Sequence, residues 1–588
     1  MENIEIKNDI PTPEPKLNFG GLEKRPATHK RAPLQGDLKI IPLGGVEEIG
    51  INCTAYEYNN DILIVDLGLG FSEFDYYGID AVVPDVKYLV PKRKRIKGIF
   101  VTHGHLDHIG AFPYLIEELG FPPVYASKFT IEMIKQRVDE IPGLLPKLLP
   151  KLHVVEEKDI VKLGSFKLEF FHVNHSIPQC LGVCIQTPTA RVVQTGDFKF
   201  DNTPINEPVT NFGKIVEFGN RGVDVLLADS TNSLKKGYPV SESDVAKNLE
   251  DAIDRADGRV IVGTFSGLVG RLYQLIQIAT KLNRKVAIAG FSMNKTLTLA
   301  QEIGYIKIPP GLVIQMKDVM RYDPRQVLIL TTGAQGEPEA ALSKMSAEDY
   351  KGYQIQKGDK VIISAKTIPG NDRAVQLMVD NITRRGAVVA QIDDLDLFTS
   401  GHGYQEDQKI MLNLVKPKFF MPVHGYQYFL RAHAETAVKV GVKRENIIVS
   451  QRGCIIEGNR FKGFKVTRKF PCEPLIVSGS GVGDIGTVVL KEREQMANYG
   501  MIIISLMADK DRKLIRTPFV LTRGFVYVKK NQELIQYISD SVEKIYTNAI
   551  KDGLDNNAIK DALSNEIGKL VFKETEREPI IMTILNYV

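Results

Sequence analysis

The histidines of this chain are concentrated in one short segment, and that segment limits the folds open to it. Ten histidines occur among 588 residues, and three of them stand in Thr-His-Gly-His-Leu-Asp-His, residues 102–108. A buried strand is predicted just before it, at residues 96–101, and a helix begins inside it. Imidazole and carboxylate ligands together suit zinc or manganese, so the segment predicts a metal site at a strand end. The candidate ligands are His103, His105, Asp107 and His108.

Further candidate ligands follow predicted strands elsewhere in the chain. His175, Asp197 and His424 each come after a short apolar run that is predicted to be a strand. A lone histidine at a strand end is more often structural. These residues therefore support a metal site only in combination with the ligand candidates of residues 103–108. Asp66, at the end of another predicted strand, is placed to accept a hydrogen bond from a ligand imidazole, with a turn or helix cap as the alternative.

The amino-acid composition indicates the general class of protein but not the reaction it catalyses. The chain is 43% hydrophobic and 25% charged, as globular proteins are, and its length predicts roughly three or four domains. No apolar run approaches the ~18 residues of a membrane span, and the N-terminus lacks the pattern of a signal peptide. The five scattered cysteines indicate reduced thiols, so we expect a cytoplasmic protein with no membrane partner. A net charge of +4 requires any nucleic-acid affinity to come from local patches.

Strands and helices alternate along most of the chain, which predicts an α/β fold. A new series of alternating helices and buried strands begins near residue 238 and indicates an inserted Rossmann-like domain. The segment from residue 479 onward indicates a small α+β domain. The expected divisions are a disordered tail (1–36), a first domain in two parts (37–237 and 371–445) around the insertion (238–370), a linker (446–478) and a C-terminal domain (479–588).

Two further motifs lie on either side of the insertion. Asp229 ends a predicted strand in Ala-Asp-Ser-Thr-Asn, and His402 stands in Thr-Ser-Gly-His-Gly shortly before His424. With the metal-ligand candidates, this pattern resembles that of the ribonuclease J family among the metallo-β-lactamase/β-CASP ribonucleases, from residue 38 to residue 588. Other segments that carry the resemblance are 44–50, 174–178, 195–201, 333–338, 368–371, 481–486 and 522–527.

The resemblance implies a fold and a ligand set. The fold is a metallo-β-lactamase αββα sandwich with an inserted Rossmann-like β-CASP domain and a small α+β C-terminal domain. The cofactors are two divalent metal ions, zinc or manganese, with magnesium as a further option. One ion would be held by His103, His105 and His175, the other by Asp107, His108 and His424, with Asp197 bridging both.

For function, the resemblance implies a ribonuclease that degrades single-stranded RNA 5′→3′ and also cuts it internally, in mRNA decay and rRNA maturation. It further implies a preference for a 5′-monophosphate and assembly as a homodimer or homotetramer. Ser400, Gly401 and His402 would bind the RNA phosphate, and His402, steered by Asp229, would protonate the leaving oxygen. The expected catalytic residues are Asp107, Asp197, Asp229 and His402.

The chain departs from the family pattern at several positions, none of which is a predicted metal ligand. Tyr426 stands where the family usually has glutamate after the final histidine. The segments 179–180, 264–267, 290–292 and 364–367 also differ from the usual residues.

Other functions fit parts of this pattern. One is a hydrolase of small esters or thioesters on the same fold, which would need neither Asp229 nor His402. Another is a catalytically silent RNA-binding scaffold, which the complete set of seven ligand candidates disfavours. A β-CASP endonuclease without exonuclease activity is a third alternative.

Overall fold

A computed structural model describes residues 36–70, 78–368, 370–390, 396–479, 481–526 and 531–588. The predicted tail, residues 1–36, lies outside the described residues except for Gly36. Within the described ranges, no helix has both the length and the apolar character that crossing a membrane requires.

The first part of the chain alternates β-strands with short helices. Its strands are β1 (Leu38–Gly44), β2 (Cys53–Tyr58), β3 (Asp61–Val65), β4 (Ala81–Val83), β5 (Ile96–Phe100), β6 (Val124–Ala126), β7 (Leu152–Val154), β8 (Ile160–Leu163), β9 (Phe166–His172), β10 (Leu181–Gln186), β11 (Arg191–Gln194) and β12 (Val225–Asp229). Its α-helices are α1 (Leu106–Ile109), α2 (Phe112–Leu115), α3 (Lys128–Val138), α4 (Leu144–Leu148) and α5 (Phe212–Asn220), with 3₁₀ turns at Val90–Arg95 and Leu149–Lys151.

The insertion is built around a parallel sheet. In chain order its elements are α6 (Glu242–Asp254), β13 (Val260–Gly263), α7 (Val269–Lys281), β14 (Lys285–Ala289), α8 (Phe291–Glu302), β15 (Val313–Ile314), β16 (Val327–Thr331), α9 (Ala341–Ser346), β17 (Lys360–Ile363), α10 (Asp372–Arg384) and β18 (Val388–Ala390), with 3₁₀ turns at Met316–Arg321 and Pro324–Gln326. The strand order is β15-β14-β16-β13-β17-β18, and apolar cores lie on both faces of the sheet. Helices on both faces of a parallel sheet make the insertion a doubly wound, Rossmann-like domain.

The rest of the chain first returns to the first domain and then forms a small domain of its own. The returning elements are α11 (Gln405–Val415), β19 (Phe419–Val423), α12 (Gln427–Lys439), β20 (Cys454–Asn459), β21 (Gly463–Lys469), β22 (Leu475–Ser478) and β23 (Gly481–Val482), with a 3₁₀ turn at Arg444–Asn446. The C-terminal elements are α13 (Thr487–Tyr499), β24 (Met501–Ala508), β25 (Phe519–Arg523), α14 (Gln532–Lys551), α15 (Asn556–Thr575) and β26 (Ile580–Tyr587). The sheet β25-β24-β26 and helices α14 and α15 enclose a separate core, so the α+β character predicted for this domain is correct.

Two sheets packed face to face form the first domain. Their strand orders are β21-β20-β1-β2-β3-β5-β6-β7 and β19-β12-β11-β10-β9-β8. Side chains of both sheets share one core, in which Phe100 stacks on Phe170 with ring centroids 4.9 Å apart. Helices α2 and α3 cover the outside of the first sheet, and α5 and α11 cover the outside of the second. The predicted αββα sandwich is therefore confirmed.

Two of the predicted domain boundaries are wrong. Strand β18 pairs in parallel with β17, so the insertion does not end at residue 370 but continues through α10 and β18. The predicted linker, residues 446–478, contains β20 and β21, and β20 pairs with β1 in the first sheet. In both places the strands were visible in the sequence, but their pairing partners were not, because pairing joins residues far apart in the chain.

A buried ion cluster joins the first domain to the insertion. The Lys199 ammonium, 1% exposed, lies 3.5 Å from Asp201 Oδ2 and 3.4 Å from Glu242 Oε1. Arg271, on α7, approaches Glu242 Oε2 to 2.9 Å. Burial raises the pKa of Glu242, but Arg271 and Lys199 outweigh it and lower that pKa to about 2. The segment that follows Asp197 is thereby tied to the insertion.

Candidate metal centre

The ligand candidates converge where strands of both sheets end. Strand β5 leads into the histidine loop, β11 into Asp197 and β19 into His424, while His175 follows β9. The candidates fall into two groups whose ligand atoms lie within 4.8 Å of one another. The first group is His103, His105 and His175, and the second is Asp107, His108, Asp197 and His424.

Three imidazoles face one another in the first group. His105 Nδ1 lies 3.1 Å from His103 Nε2 and 3.0 Å from His175 Nε2. A tetrahedral zinc ion with Zn–N bonds of ~2.0–2.1 Å separates its nitrogen ligands by about 3.3 Å, and these two distances are close to that spacing. Burial lowers the pKa of His105 to about 4 and holds those of His103 and His175 well below the usual value. The imidazoles are thus kept neutral, which is the form that binds metal.

Carboxylates and imidazoles alternate in the second group. His108 Nε2 lies 3.2 Å from Asp197 Oδ2, and His424 Nε2 lies 3.3 Å from Asp107 Oδ2. Burial disfavours protonation of both histidines, but the neighbouring carboxylates, Asp197 first among them, outweigh it. They raise the pKa of His424 to about 10 and that of His108 well above its usual value. The negative field that holds a proton on each histidine would equally favour a divalent cation in its place.

Asp197 connects the two groups, and its environment fits a cation. Its Oδ2 atom lies 3.7 Å from His103 Nε2 and 3.8 Å from His175 Nε2. Its Oδ1 atom is buried without a hydrogen bond of acceptable geometry, although His424 Nδ1 is 2.8 Å away, and His424 Nε2 is likewise unsatisfied. Buried polar atoms without hydrogen bonds need another partner, and a metal ion would satisfy both.

Asp66 fixes the orientation of the histidine loop. Its carboxylate accepts hydrogen bonds from the backbone N–H of Thr102 and from Nδ1–H of His108, both at 2.8 Å. That contact leaves Nε2 of His108 directed at Asp197. Asp66 is 1% exposed and has a φ of +63°, a conformation rare outside glycine. The predicted contact between Asp66 and a ligand imidazole is therefore present.

His402 lies at the edge of this centre, in the loop before α11. Its Nδ1–H donates a 2.7 Å hydrogen bond to Asp229 Oδ2. Burial lowers the pKa of His402, but Asp229 and then Asp197 outweigh it and raise that pKa above its usual value. Its side chain is 20% exposed, against 2% for that of Asp229, so the imidazole is partly accessible to solvent and the carboxylate is buried behind it.

Gly401 has a contact that the sequence did not indicate. Its carbonyl oxygen accepts a 2.7 Å hydrogen bond from Nδ1–H of His175, which turns Nε2 of that histidine toward His105. A Cβ at this position would lie 2.6 Å from Ser176 Oγ and 2.7 Å from His175 Cε1, closer than real Cβ contacts. The loop that was predicted to bind phosphate therefore also orients a metal-ligand candidate.

Asn232 and Thr102 are two further residues that sequence reasoning missed. The Asn232 amide donates to Ser400 Oγ at 2.8 Å and to the His402 carbonyl at 3.0 Å, which ties the two motifs together. The Thr102 hydroxyl donates to Asp66 and lies 3.1 Å from His103 Nδ1. In the sequence, only their positions inside the motifs could have indicated a role for these two residues.

A third grouping overlaps the second. Ligand atoms of Asp197, Asp229, His402 and His424 also lie within 4.8 Å of one another. His402 and Asp229 are therefore close enough to act as ligands themselves, although the sequence pattern places them outside the ligand set.

Comparison with known proteins identifies the family. The ribonuclease J β-CASP domain matches residues 257–382, the ribonuclease J C-terminal domain 488–588, the metallo-β-lactamase superfamily 46–263 and the Zn-dependent metallo-hydrolase RNA specificity domain 385–449. Ribonuclease J2 of Bacillus subtilis (strain 168) is 37% identical over 554 residues, covering 94% of this chain and 99% of that protein. The chain belongs to the ribonuclease J family.

Other ribonuclease J proteins agree with this assignment. Ribonuclease J of Corynebacterium glutamicum is 36% identical, covering 95% of this chain and 77% of that protein. Ribonuclease J of Helicobacter pylori (strain ATCC 700392 / 26695) is also 36% identical, covering 93% of this chain and 79% of that protein. A solved structure of a protein of unknown function from Enterococcus faecalis V583 matches with a TM-score of 0.53 at 17% identity, over 72% of this chain and all of that one. That likeness concerns the fold alone.

Of the histidines in the described residues, three lie outside the ligand groups and the His402 loop. His153 stacks on Tyr125, and His172 lies 3.0 Å from the Pro208 carbonyl. His433 is fully buried, with its Nδ1 atom 3.0 Å from Ser230 Oγ. These three histidines therefore have packing and hydrogen-bonding roles away from the metal-ligand candidates.

Proposed function

We propose that this protein hydrolyses phosphodiester bonds of single-stranded RNA with two divalent metal ions. The observation that carries the proposal is the convergence of seven ligand candidates into two groups that share Asp197. His103, His105 and His175 would hold one ion, Asp107, His108 and His424 the other, and Asp197 both. The first set is all nitrogen and the second mixes nitrogen with oxygen, which suits zinc or manganese better than magnesium.

The ions and the protein side chains would divide the chemistry. Two bound divalent ions would supply an activated water and would neutralise charge on the reacting phosphate. Asp66 would keep His108 oriented, and the Gly401 carbonyl would do the same for His175. His402, whose raised pKa favours the protonated form, would bind the phosphate with Ser400 and donate a proton to the leaving oxygen. Asp229 would hold His402 in the orientation that exposes Nε2.

Family membership supports finer proposals for this chain. The relatives described above are ribonucleases J, and we extend that activity to this protein. We propose 5′→3′ exonuclease activity together with internal cutting, a preference for a 5′-monophosphate, and roles in mRNA decay and rRNA maturation in the cytoplasm. We also propose assembly as a homodimer or homotetramer.

The decisive experiment uses metal-depleted full-length protein and a single-stranded RNA with a 5′-monophosphate. Cleavage should be absent without metal and should return with manganese or zinc, and metal analysis should give two ions per chain. A matched RNA with a 5′-hydroxyl, labelled at either end, separates end-directed from internal cutting. Cleavage that persists in chelator, or hydrolysis of small thioesters in place of RNA, would contradict the proposal.

A further inference from the structure

Lys235 lies beside the His402 loop, and the charge of Lys366, which comes from the insertion, acts on it. Lys235 follows β12, and Lys366 follows β17 of the insertion. The Lys235 ammonium lies 3.4 Å from the Tyr404 hydroxyl and 4.7 Å from the centroid of that ring. The Lys235 carbonyl accepts a 2.9 Å hydrogen bond from the Gln405 backbone N–H, which fixes this segment against the loop. Burial, together with the neighbouring Lys366 charge, lowers the pKa of Lys235 to about 8.

The backbone beneath Lys366 is also held in place. Gln335, 1% exposed, donates to the Lys366 carbonyl at 2.8 Å and accepts from the Ile368 backbone N–H at 2.7 Å. The buried amide thus clamps the segment on both sides of Thr367. The Lys366 side chain itself is exposed, so its ammonium is accessible to an anionic ligand.

Among the described residues, no carboxylate forms an ion pair with either lysine. Over the ranges that the structure describes, neither Lys235 nor Lys366 lies within 4.0 Å of an acidic oxygen. By contrast, Lys199, which is fully buried, and Lys92, which is partly buried, each contact a glutamate. Two ammonium groups without a counter-ion repel each other, and an anion placed between them would remove that cost.

We infer that Lys235 and Lys366 together bind one backbone phosphate of the RNA strand, next to but distinct from the phosphate that is cut. The inference rests on the proposed function, because that function supplies the anionic strand. The position supports it: Asn232, three residues before Lys235, contacts Ser400 and the His402 carbonyl, and Tyr404 follows His402 by two residues. Lysine ammonium groups bind phosphate as point charges, and the Tyr404 ring holds Lys235 in place.

Binding to a cleavage-resistant RNA tests the inference. Fluorescence anisotropy would follow a labelled 2′-O-methyl oligonucleotide on the full-length, metal-loaded protein across a series of KCl concentrations. The variants are Lys235→Gln, Lys366→Gln and their combination, with Lys236→Gln as the control because Lys236 is an exposed neighbour. Each phosphate neutralised on a single strand contributes about 0.7 to the slope of log affinity against log salt.

If both lysines bind the same phosphate, the slope of log affinity against log salt should be smaller in magnitude by about 0.7 for the double variant than for the wild type. Each single variant should bind about tenfold more weakly at low salt, and the two losses should not add. Lys235→Arg and Lys366→Arg should restore the slope, and thermal melting should match the wild type throughout. Unchanged slopes, an equal loss in Lys236→Gln, or a loss of about 1.4 in the double variant would overturn the shared site.

Failure of the inference and failure of the proposed function give different results. In a cleavage assay, the glutamine variants should show their defect in KM and should be recovered by excess RNA. A wild-type protein that binds RNA with the expected salt slope but does not cut it refutes the proposed function. Variants that cut RNA with wild-type KM refute the lysine site alone.

Discussion

Gly401→Ala distinguishes a loop that orients a metal ligand from one that binds only phosphate. The added Cβ would meet Ser176 Oγ at 2.6 Å and the His175 ring at 2.7 Å, whereas ordinary contact begins at 3.4 Å. The imidazole or the loop would therefore have to move by about 0.7 Å, the difference between 3.4 and 2.7 Å. Gly401 does not have a positive φ, so the backbone itself would accept alanine and the effect would be steric.

The expected loss of activity in Gly401→Ala follows from the contacts that the His175 imidazole would lose. A displaced His175 loses its 2.7 Å hydrogen bond to the Gly401 carbonyl, and its Nε2 atom leaves the position facing His105. Loss of such an orienting partner costs about 10–100-fold in metal affinity or activity, and a misplacement of about 1 Å costs ~10²-fold in rate. We expect a ~10²-fold lower single-turnover rate together with a reduced metal content.

The assay combines metal analysis with single-turnover cleavage of 5′-monophosphorylated RNA at saturating protein. Gly270→Ala is the control, because a Cβ there meets no heavy atom within 4 Å, and it should behave as the wild type. If Gly401→Ala keeps both metals and raises only KM, the loop acts on phosphate and not through His175. Wild-type turnover would refute the steric reasoning altogether.

Four more perturbations have expected outcomes. Asp197→Ala should abolish hydrolysis and weaken metal retention while circular dichroism stays unchanged, and near-normal turnover would exclude a shared bridging ligand. His402→Ala should lower the rate by ~10²–10⁴ with both metals bound, and loss of a metal would instead make His402 a ligand. Glu242→Gln should lower the free energy of unfolding by up to about 3 kcal/mol at pH 7. This difference from the wild type should shrink as the pH falls from about 4.5 toward about 2, because a carboxyl group with a lowered pKa contributes its full stabilisation only above that range. Truncation at about residue 480 should weaken assembly more than chemistry, which sedimentation of the truncated chain would check, since the C-terminal core is separate.

Four of the metal-ligand candidates, His103, His105, Asp107 and His108, were predictable because their spacing is local. A strand that ends in His-x-His-x-Asp-His must bring those side chains near one strand end, whatever the rest of the fold. The contact between His175 and the Gly401 carbonyl joins residues 226 positions apart, and no local pattern encodes it. The same holds for the domain boundaries. The sequence of β20 predicts a strand but does not show whether that strand belongs to a linker or to the sheet of the first domain. Its pairing with β1 places it in the sheet.

We expect the insertion to influence which substrates the metal centre acts on. All seven ligand candidates come from the first domain, whose fold is shared by enzymes of many substrates. The insertion approaches them closely: a Cβ at Gly267 would lie 3.7 Å from His105, and the Lys366 charge helps to lower the pKa of Lys235. Metal content should therefore depend on the first domain alone, whereas RNA affinity should depend on both domains. Substitutions in the insertion are then expected to change KM and the salt dependence of binding while the number of bound metals stays constant.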